Sequence, residues 1–194
     1  MNYAKPYCIC GCGPSLFHVE HEYPGTFRLC ALNRAIALFA EAEYLYISHE
    51  LTYNAIYNHV LKAKTVLTYE TFILDAREYT KTIASKNFAS LCEQCGDRLR
   101  ILKGYNSLPD RRIVIDEAVV WQGNTVANGM LCFLCMMGER RVFYTGIDGG
   151  SNHSAKLNGY YTNVPHQTNY GMGLKQFHRL AEQLDIEVIR IGPK

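Results

Sequence analysis

Residues 7–16 read YCICGCGPSL, and this segment is the strongest indication of the fold class. A short apolar run enters a G-x-G-P-S turn, which is the pattern of a strand that delivers a phosphate-binding loop. Gly11 and Gly13 accept backbone angles closed to other residues and let a ligand approach the main chain. Pro14 suits the first turn of a helix, whose N–H groups favour an anion, and Ser15 adds a hydroxyl donor. The segment predicts a nucleotide-binding loop, with a turn that binds no ligand as the alternative.

Length and composition favour one α/β domain over residues 1–194. Of the 194 residues, 48% are apolar and 12% aromatic, which is enough for a sizeable core. The formal net charge is +2, and charges of both signs are spread along the chain, so no nucleic-acid-binding stripe is evident. We find neither a signal-peptide pattern nor an apolar run of about 18 residues. These features predict a cytoplasmic protein without a membrane span.

Strand and helix patterns alternate along the chain without a linker. This alternation predicts a Rossmann-like domain with a mainly parallel sheet and helices on both faces. Residues 71–110 have weak periodicity and are interpreted as an insertion, a lid or an irregular helical excursion. The loop lacks the third glycine of G-x-G-x-x-G, which disfavours an NAD-type site. Strands are expected at 27–32, 44–48, 64–69, 113–115, 141–148 and 187–191, and helices at 33–39, 52–63, 127–138 and 174–184.

Polar residues follow several predicted strands, at the edge where parallel sheets bind ligands. Asn33 suits either a sugar hydroxyl or a helix N-cap. Asp148 suits a ribose, a metal or an acceptor hydroxyl, or else an Asp-Gly turn. The full set that we expect at this edge is Ser15, Asn33, His49, Asn128 and Asp148.

The segment between Gly159 and Gly173 is a predicted loop rich in histidine, tyrosine and amide side chains. A histidine with a pKa near neutrality can take a proton from an acceptor hydroxyl, and tyrosine hydroxyls can donate to a departing phosphate. We therefore predict His166 as the general base, with His153 and His178 as lesser alternatives. An exposed loop with an incidental histidine is the other interpretation.

The chain has eight cysteines, and two C-x-x-C pairs occur at residues 92–95 and 132–135. The second pair lies in an apolar segment, where cysteine acts as a small hydrophobic residue. A strand's two-residue period places Cys8, Cys10 and Cys12 on one face. We expect reduced thiols in the cytosol, with structural zinc as the alternative.

The order of these motifs resembles the bacterial sialyltransferases that modify lipooligosaccharide, with the related flagellin glycosyltransferase and 6-hydroxymethylpterin diphosphokinase-like proteins. Five matches in order carry the resemblance: residues 9–16, 30–34, 127–129, 145–148 and His166. In these sialyltransferases the loop and asparagines hold a cytidine monophosphate (CMP) sugar. A histidine deprotonates the acceptor, and tyrosines assist phosphate departure without a metal ion.

The resemblance implies a glycosyltransferase that moves a sugar from a CMP-sugar to a glycan or other hydroxyl acceptor, with His166 as base and no cofactor. It implies phosphate stabilisation by Tyr160 or Tyr161. The implied donor-binding residues are Gly11, Cys12, Gly13, Pro14, Ser15, Asn33, Asn128, Gly129 and Asp148.

Two other functions stay open. One is a diphosphokinase-like phosphoryl transferase in which Asp148 holds Mg²⁺. The other is a nucleotide-binding module without catalysis, because Gly149 and Gly150 stand where the family tends to have an aromatic pair. The tyrosine-rich stretches 44–46 and 56–57 suit a subunit contact as readily as a core, so a homo-oligomer is also open.

Overall fold

The protein is an eight-stranded parallel sheet with helices on both faces, which confirms the predicted fold class. The computed structural model describes residues 4–17, 19–47, 50–69, 88–105, 119–121, 125–148, 157 and 170–192. In chain order the strands are β1 (Tyr7–Cys10), β2 (Arg28–Leu32), β3 (Ala42–Tyr46), β4 (Ala63–Tyr69), β5 (Leu99–Tyr105), β6 (Val119–Trp121), β7 (Arg141–Thr145) and β8 (Glu187–Arg190).

Wherever the structure describes the connection between two consecutive strands, it contains a helix, as is usual for parallel strands. Short 3-10 helices follow β2 and precede β4, at Asn33–Leu38 and Tyr57–Lys62. A further 3-10 turn, Gly96–Arg98, leads into β5. The α-helices are α1 (Val19–Glu22), α2 (Glu50–Ile56), α3 (residues 88–95), α4 (Val126–Met136) and α5 (Tyr170–Gln183). No helix within the described residues is long and apolar enough to cross a membrane.

The two faces of the sheet carry separate apolar cores. Tyr7 and Ile9 face α4 and α5, whereas Cys8 and Cys10 face the helices that follow β1, β2 and β3. This alternation confirms the predicted cysteine face, and Cys12 packs against the same side. The core also takes in residues 44–46, all buried, so that stretch serves the core in this chain.

The sheet order is β6-β5-β4-β3-β2-β1-β7-β8. All strands are parallel, and the direction in which successive strands are added across the sheet reverses at β1. Strands β2 to β6 are added on one side of β1, and β7 and β8 on the other. The crevice between the carboxyl ends of β1 and β7 is therefore the topological switch point, where open α/β sheets bind ligands.

Most predicted elements are found within a few residues of their expected bounds, and three points differ. Residues 88–105 form α3, a 3-10 turn and β5, which pairs with β4 and β6, so this part of 71–110 is not an insertion or a lid. Helix α5 begins at Tyr170, four residues before the predicted start. The predicted strand 113–115 lies outside the described residues, and β6 was not predicted.

Candidate functional site

The glycine loop after β1 and the turn after β7 are bonded to each other at the switch point. Gly11 N donates to Thr145 O at 2.9 Å, and Gly13 N donates to Gly146 O at 2.7 Å. The parallel pairing of β1 with β7, with Cys10 opposite Thr145, brings the two segments together. The motif that opens the chain and the T-G-I-D motif thus form one site.

Close packing of the two loops explains their glycines. A Cβ atom on Gly11 would overlap Gly146 O, and one on Gly13 would lie 2.5 Å from Asp148 Oδ2. The left-handed backbone angle is found at Gly146, with φ +67°, and neither Gly11 nor Gly13 has a positive φ. The loop glycines therefore allow protein to approach protein here, which corrects the expectation that they adopt special angles.

Ser15 joins the two loops through three groups. Its N–H donates to Asp148 Oδ2 at 2.6 Å, its carbonyl accepts from Thr145 Oγ1 at 2.9 Å, and its Oγ accepts from Gly146 N at 2.9 Å. Because Oγ is the acceptor in the last bond, the Ser15 hydroxyl keeps its own proton for donation. Ser15 is half-buried, so this donor can face a ligand.

The expected anion site at a helix N-terminus is wrong for this loop. Leu16 N donates to Gly13 O at 3.0 Å, which makes Pro14 the second residue of a turn, and α1 begins only at Val19. Pro14 has no N–H. The N–H groups of Gly13 and Ser15 donate within the protein. A phosphate at this loop therefore needs side-chain donors in place of the N–H groups of Gly13 and Ser15.

Asp148 is held on both carboxylate oxygens. Oδ2 accepts from Ser15 N, and Oδ1 accepts from Arg190 Nη2 at 2.8 Å. Arg190 ends β8, and the pairing of Tyr144 with Arg190 sets its position next to β7. The carboxylate fastens the glycine loop to a cation on the neighbouring strand, a role beyond the ribose, metal or turn roles considered for it.

Tyr144 and His178 form a second polar pair beside this ion pair. Tyr144 Oη lies 3.0 Å from His178 Nε2, and the phenol side chain is buried. Burial raises the pKa of Tyr144, and the nearby charges of Arg190 and Asp148 act on it in opposite directions. His178, a lesser candidate for the base, thus bonds to a buried tyrosine that keeps its proton at neutral pH.

Asn33 lies next to the loop at the end of β2. Cys12 Sγ donates to Leu32 O at 3.3 Å, which ties the loop to the residue before Asn33. The cap of the 3-10 helix Asn33–Leu38 is Leu32, so the N-cap interpretation of Asn33 is wrong. Asn33 has φ +50°, a conformation that asparagine tolerates better than most residues. Residues in such strained conformations cluster at binding sites.

Asn128 and Gly129 lie in the first turn of α4, inside the helix predicted over 127–138. The helix is capped by Thr125, whose Oγ1 accepts from Ala127 N at 3.3 Å. Asn128 is fully buried. A Cβ on Gly129 would lie 2.5 Å from Cε1 of Tyr46, so Gly129 makes room for that ring. Gly129 therefore lies against the side chain of a β3 residue, and β2 stands between β3 and β1 in the sheet.

The catalytic candidates His166, Tyr160 and Tyr161 lie outside the described residues, as do His49 and His153. Within the described residues, no three histidine, cysteine or acidic side chains form a group that could hold a metal. None of the eight cysteines, all of them described, is in a disulfide. Burial raises the pKa of Cys95 to about 11, which suppresses its thiolate.

Arg190 is the main site residue that the sequence did not reveal. It stands in the otherwise apolar run Val188 to Ile191. A cation near the carboxyl end of a predicted parallel strand, where such sheets bind ligands, is the signal that could have identified it. Thr145 was also missed, since its hydroxyl role depends on the contact between two loops.

Comparisons with known proteins show the fold. No protein-family profile matches the chain, and no curated protein matches it in sequence. The structure is similar to that of a point mutant of the alpha-2,3/8-sialyltransferase CstII, with a TM-score of 0.50 and 14% identity over 98% of this chain and 82% of that chain. It is also similar to CstII from Campylobacter jejuni in complex with the substrate analogue CMP-3FNeuAc, with a TM-score of 0.50, 12% identity and the same coverage. The expected fold resemblance to sialyltransferases is thus confirmed.

Proposed function

We propose that the protein is a glycosyltransferase that transfers a sugar from a CMP-sugar to a hydroxyl acceptor. The observation that carries the proposal is the joining of the glycine loop to the Asp148 turn at the switch point between β1 and β7. Folds of this class bind nucleotides there. The similar structure from Campylobacter jejuni was solved with a CMP-sugar analogue, which supports cytidine as the base.

The proposed reaction needs a base for the acceptor and charge compensation for the leaving phosphate. His166 takes the proton from the acceptor hydroxyl as the oxygen attacks the anomeric carbon, and the bond from that carbon to the phosphate oxygen breaks. CMP leaves with the electron pair. The Ser15 hydroxyl and Tyr160 or Tyr161 donate to its phosphate, in place of loop N–H groups that are already bonded.

Of the alternatives, phosphoryl transfer is less well supported by the geometry. Its Mg²⁺ ligand would be Asp148, whose two oxygens accept from Arg190 and Ser15. The Arg190 guanidinium already pairs with this carboxylate, and its positive charge disfavours a cation at the same place. The experiment below distinguishes the third alternative, a nucleotide-binding module without catalysis.

The test measures thermal stabilisation by nucleotides and then transfer. A ligand that binds the folded state raises the unfolding temperature by mass action. We expect CMP and a CMP-sugar to stabilise the protein more than UMP, AMP or GMP, and CMP to be released faster when a glycan acceptor is added. Stabilisation by CMP with no release would favour the non-catalytic module, and no preference for cytidine would contradict the proposed donor.

A further inference from the structure

We propose that Arg190 binds the phosphate of the donor nucleotide. This inference rests on the proposed function and adds to it a residue that the motif order does not contain. Arg190 ends β8, the strand at the edge of the sheet beyond β7, and it lies on the face of the sheet against which α5 packs.

The Asp148 carboxylate bridges Arg190 to the glycine loop. Arg190 Nη2 donates to Asp148 Oδ1 at 2.8 Å, and the other oxygen of the same carboxylate accepts from Ser15 N at 2.6 Å. Asp148 thus fixes the guanidinium next to the loop at the switch point. The position depends on the strand register, which pairs Arg190 with Tyr144.

Exposure decides which partner of the ion pair can reach a ligand. The side chain of Arg190 is 57% exposed, whereas that of Asp148 is 13% exposed. A guanidinium has five N–H donors in a planar fork. Within the described part of the chain, Arg190 makes only the bond to Asp148, so its remaining donors are available on the solvent side.

A phosphate at the glycine loop needs a positively charged side chain, and Arg190 can provide it. The N–H groups of Gly11, Gly13 and Ser15 donate within the protein, and Pro14 has none. A phosphate at the switch point must be neutralised by side chains. The planar fork of an arginine matches the oxygens of a phosphate, and its positive charge attracts the anion.

The experiment compares binding of CMP with that of cytidine, which lacks the phosphate, by calorimetry on the full chain. The variants are Arg190→Met and Arg190→Lys. The matched control is Arg141→Met, because Arg141 pairs with Glu187 on the same two strands at their opposite ends. Unfolding temperatures without ligand show whether each variant is folded.

We expect Arg190→Met to weaken CMP binding by at least about tenfold while cytidine binding changes little, because one charge-assisted contact is lost. The CMP affinity of Arg190→Lys should fall between those of wild type and Arg190→Met. The CMP affinity of Arg141→Met should stay within about twofold of wild type, since exposed ion pairs contribute little. Higher salt should weaken CMP binding more in wild type than in Arg190→Met.

Two results overturn the inference alone. One is unchanged CMP affinity in Arg190→Met, and the other is an equal loss for CMP and cytidine, which would make Arg190 only a support of the loop. Wild-type protein that binds neither compound would instead overturn the proposed function, and the inference with it.

Discussion

At the scale of single residues, the turn after β7 requires glycine at position 146 for two reasons. Its φ of +67° is a conformation that side chains rarely adopt, and a Cβ there would overlap Gly11 O. Gly138, which follows α4, has φ +87° with no atom near its missing Cβ. Both glycines have a backbone conformation that is strained for other residues, and only Gly146 also has a close contact with the other loop. Comparing the two positions therefore distinguishes the two effects.

We predict that Gly146→Ala destabilises the protein more than Gly138→Ala. The left-handed conformation costs an alanine about 1–2 kcal/mol, and this cost applies to both variants. The overlap at residue 146 adds about 1–3 kcal/mol, because the two loops must move apart. Urea unfolding of both variants measures the difference. Equal losses would mean that the two loops give way at no cost.

A second residue-scale prediction concerns the proposed base. We expect His166→Ala to lower turnover by about 10²-fold or more with donor binding nearly intact, because a general base acts in the transition state. The acidic limb of the pH–rate profile should disappear with it, since protonated histidine cannot accept a proton. His153→Ala is the control, and a larger loss there than in His166→Ala would contradict the assignment.

At the scale of elements, helix α4 packs on the sheet through a glycine. The ring of Tyr46, at the end of β3, lies where a Cβ of Gly129 would be. Gly173 in α5 is different, because its nearest neighbour, Thr125 Cβ, would be an ordinary contact at 3.6 Å. The two helices therefore respond differently to the same substitution.

We predict that Gly129→Ala destabilises the protein by about 1–3 kcal/mol through overpacking, although alanine favours helices. Gly173→Ala should stabilise it by up to about 1 kcal/mol, because propensity acts there without a clash. Chemical unfolding gives both values. In a Tyr46→Leu background the cost of Gly129→Ala should shrink; an unchanged cost would show that the ring is not the cause.

The 3-10 helix Tyr57–Lys62 contains His59, whose burial makes the stability of the protein depend on pH. Burial lowers the pKa of His59, and the charge of Lys62 lowers it further. The unfolded chain therefore binds the proton more readily than the folded protein. The resulting stability is present above the unfolded pKa of about 6.5 and is lost as the pH falls below it.

We expect His59→Gln to reduce the loss of unfolding free energy between about pH 7 and pH 5, the range below the unfolded pKa. Urea unfolding at several pH values measures this slope. The control is His21→Gln, which removes a histidine with a side chain 87% exposed. An equal change in slope for both variants would rule out burial as the cause.

At the scale of the whole molecule, we predict full transfer activity in the presence of EDTA. The sequence has no D-x-D pair in which two carboxylates could hold Mg²⁺ against a diphosphate. The assay is CMP release from the CMP-sugar with and without chelator. Loss of activity that Mg²⁺ or Mn²⁺ restores would contradict the metal-independent mechanism.

The sequence alone predicts most of the strands and helices, and it predicts the face of β1 on which each side chain lies. These properties follow from local periodicity, because a strand repeats every two residues and a helix every 3.6. The strand beginning at Arg141 and the opposite faces of Ile9 and Cys10 could be predicted for this reason. The glycine loop and Asp148 were recognised as parts of a site from their places after strands.

How those parts act on one another depends on contacts that form only in the folded protein. Ser15 and Asp148 are 133 residues apart in the chain, and Asp148 and Arg190 are 42 apart. Their contacts exist because β7 pairs with β1 and β8 with β7, and strand order is not written in any local pattern. The same pairing bonds the N–H groups of Gly11, Gly13 and Ser15 within the protein and leaves Arg190 exposed, whereas α4 buries Asn128. Long-range packing thus determines which groups remain to donate to a phosphate at this site.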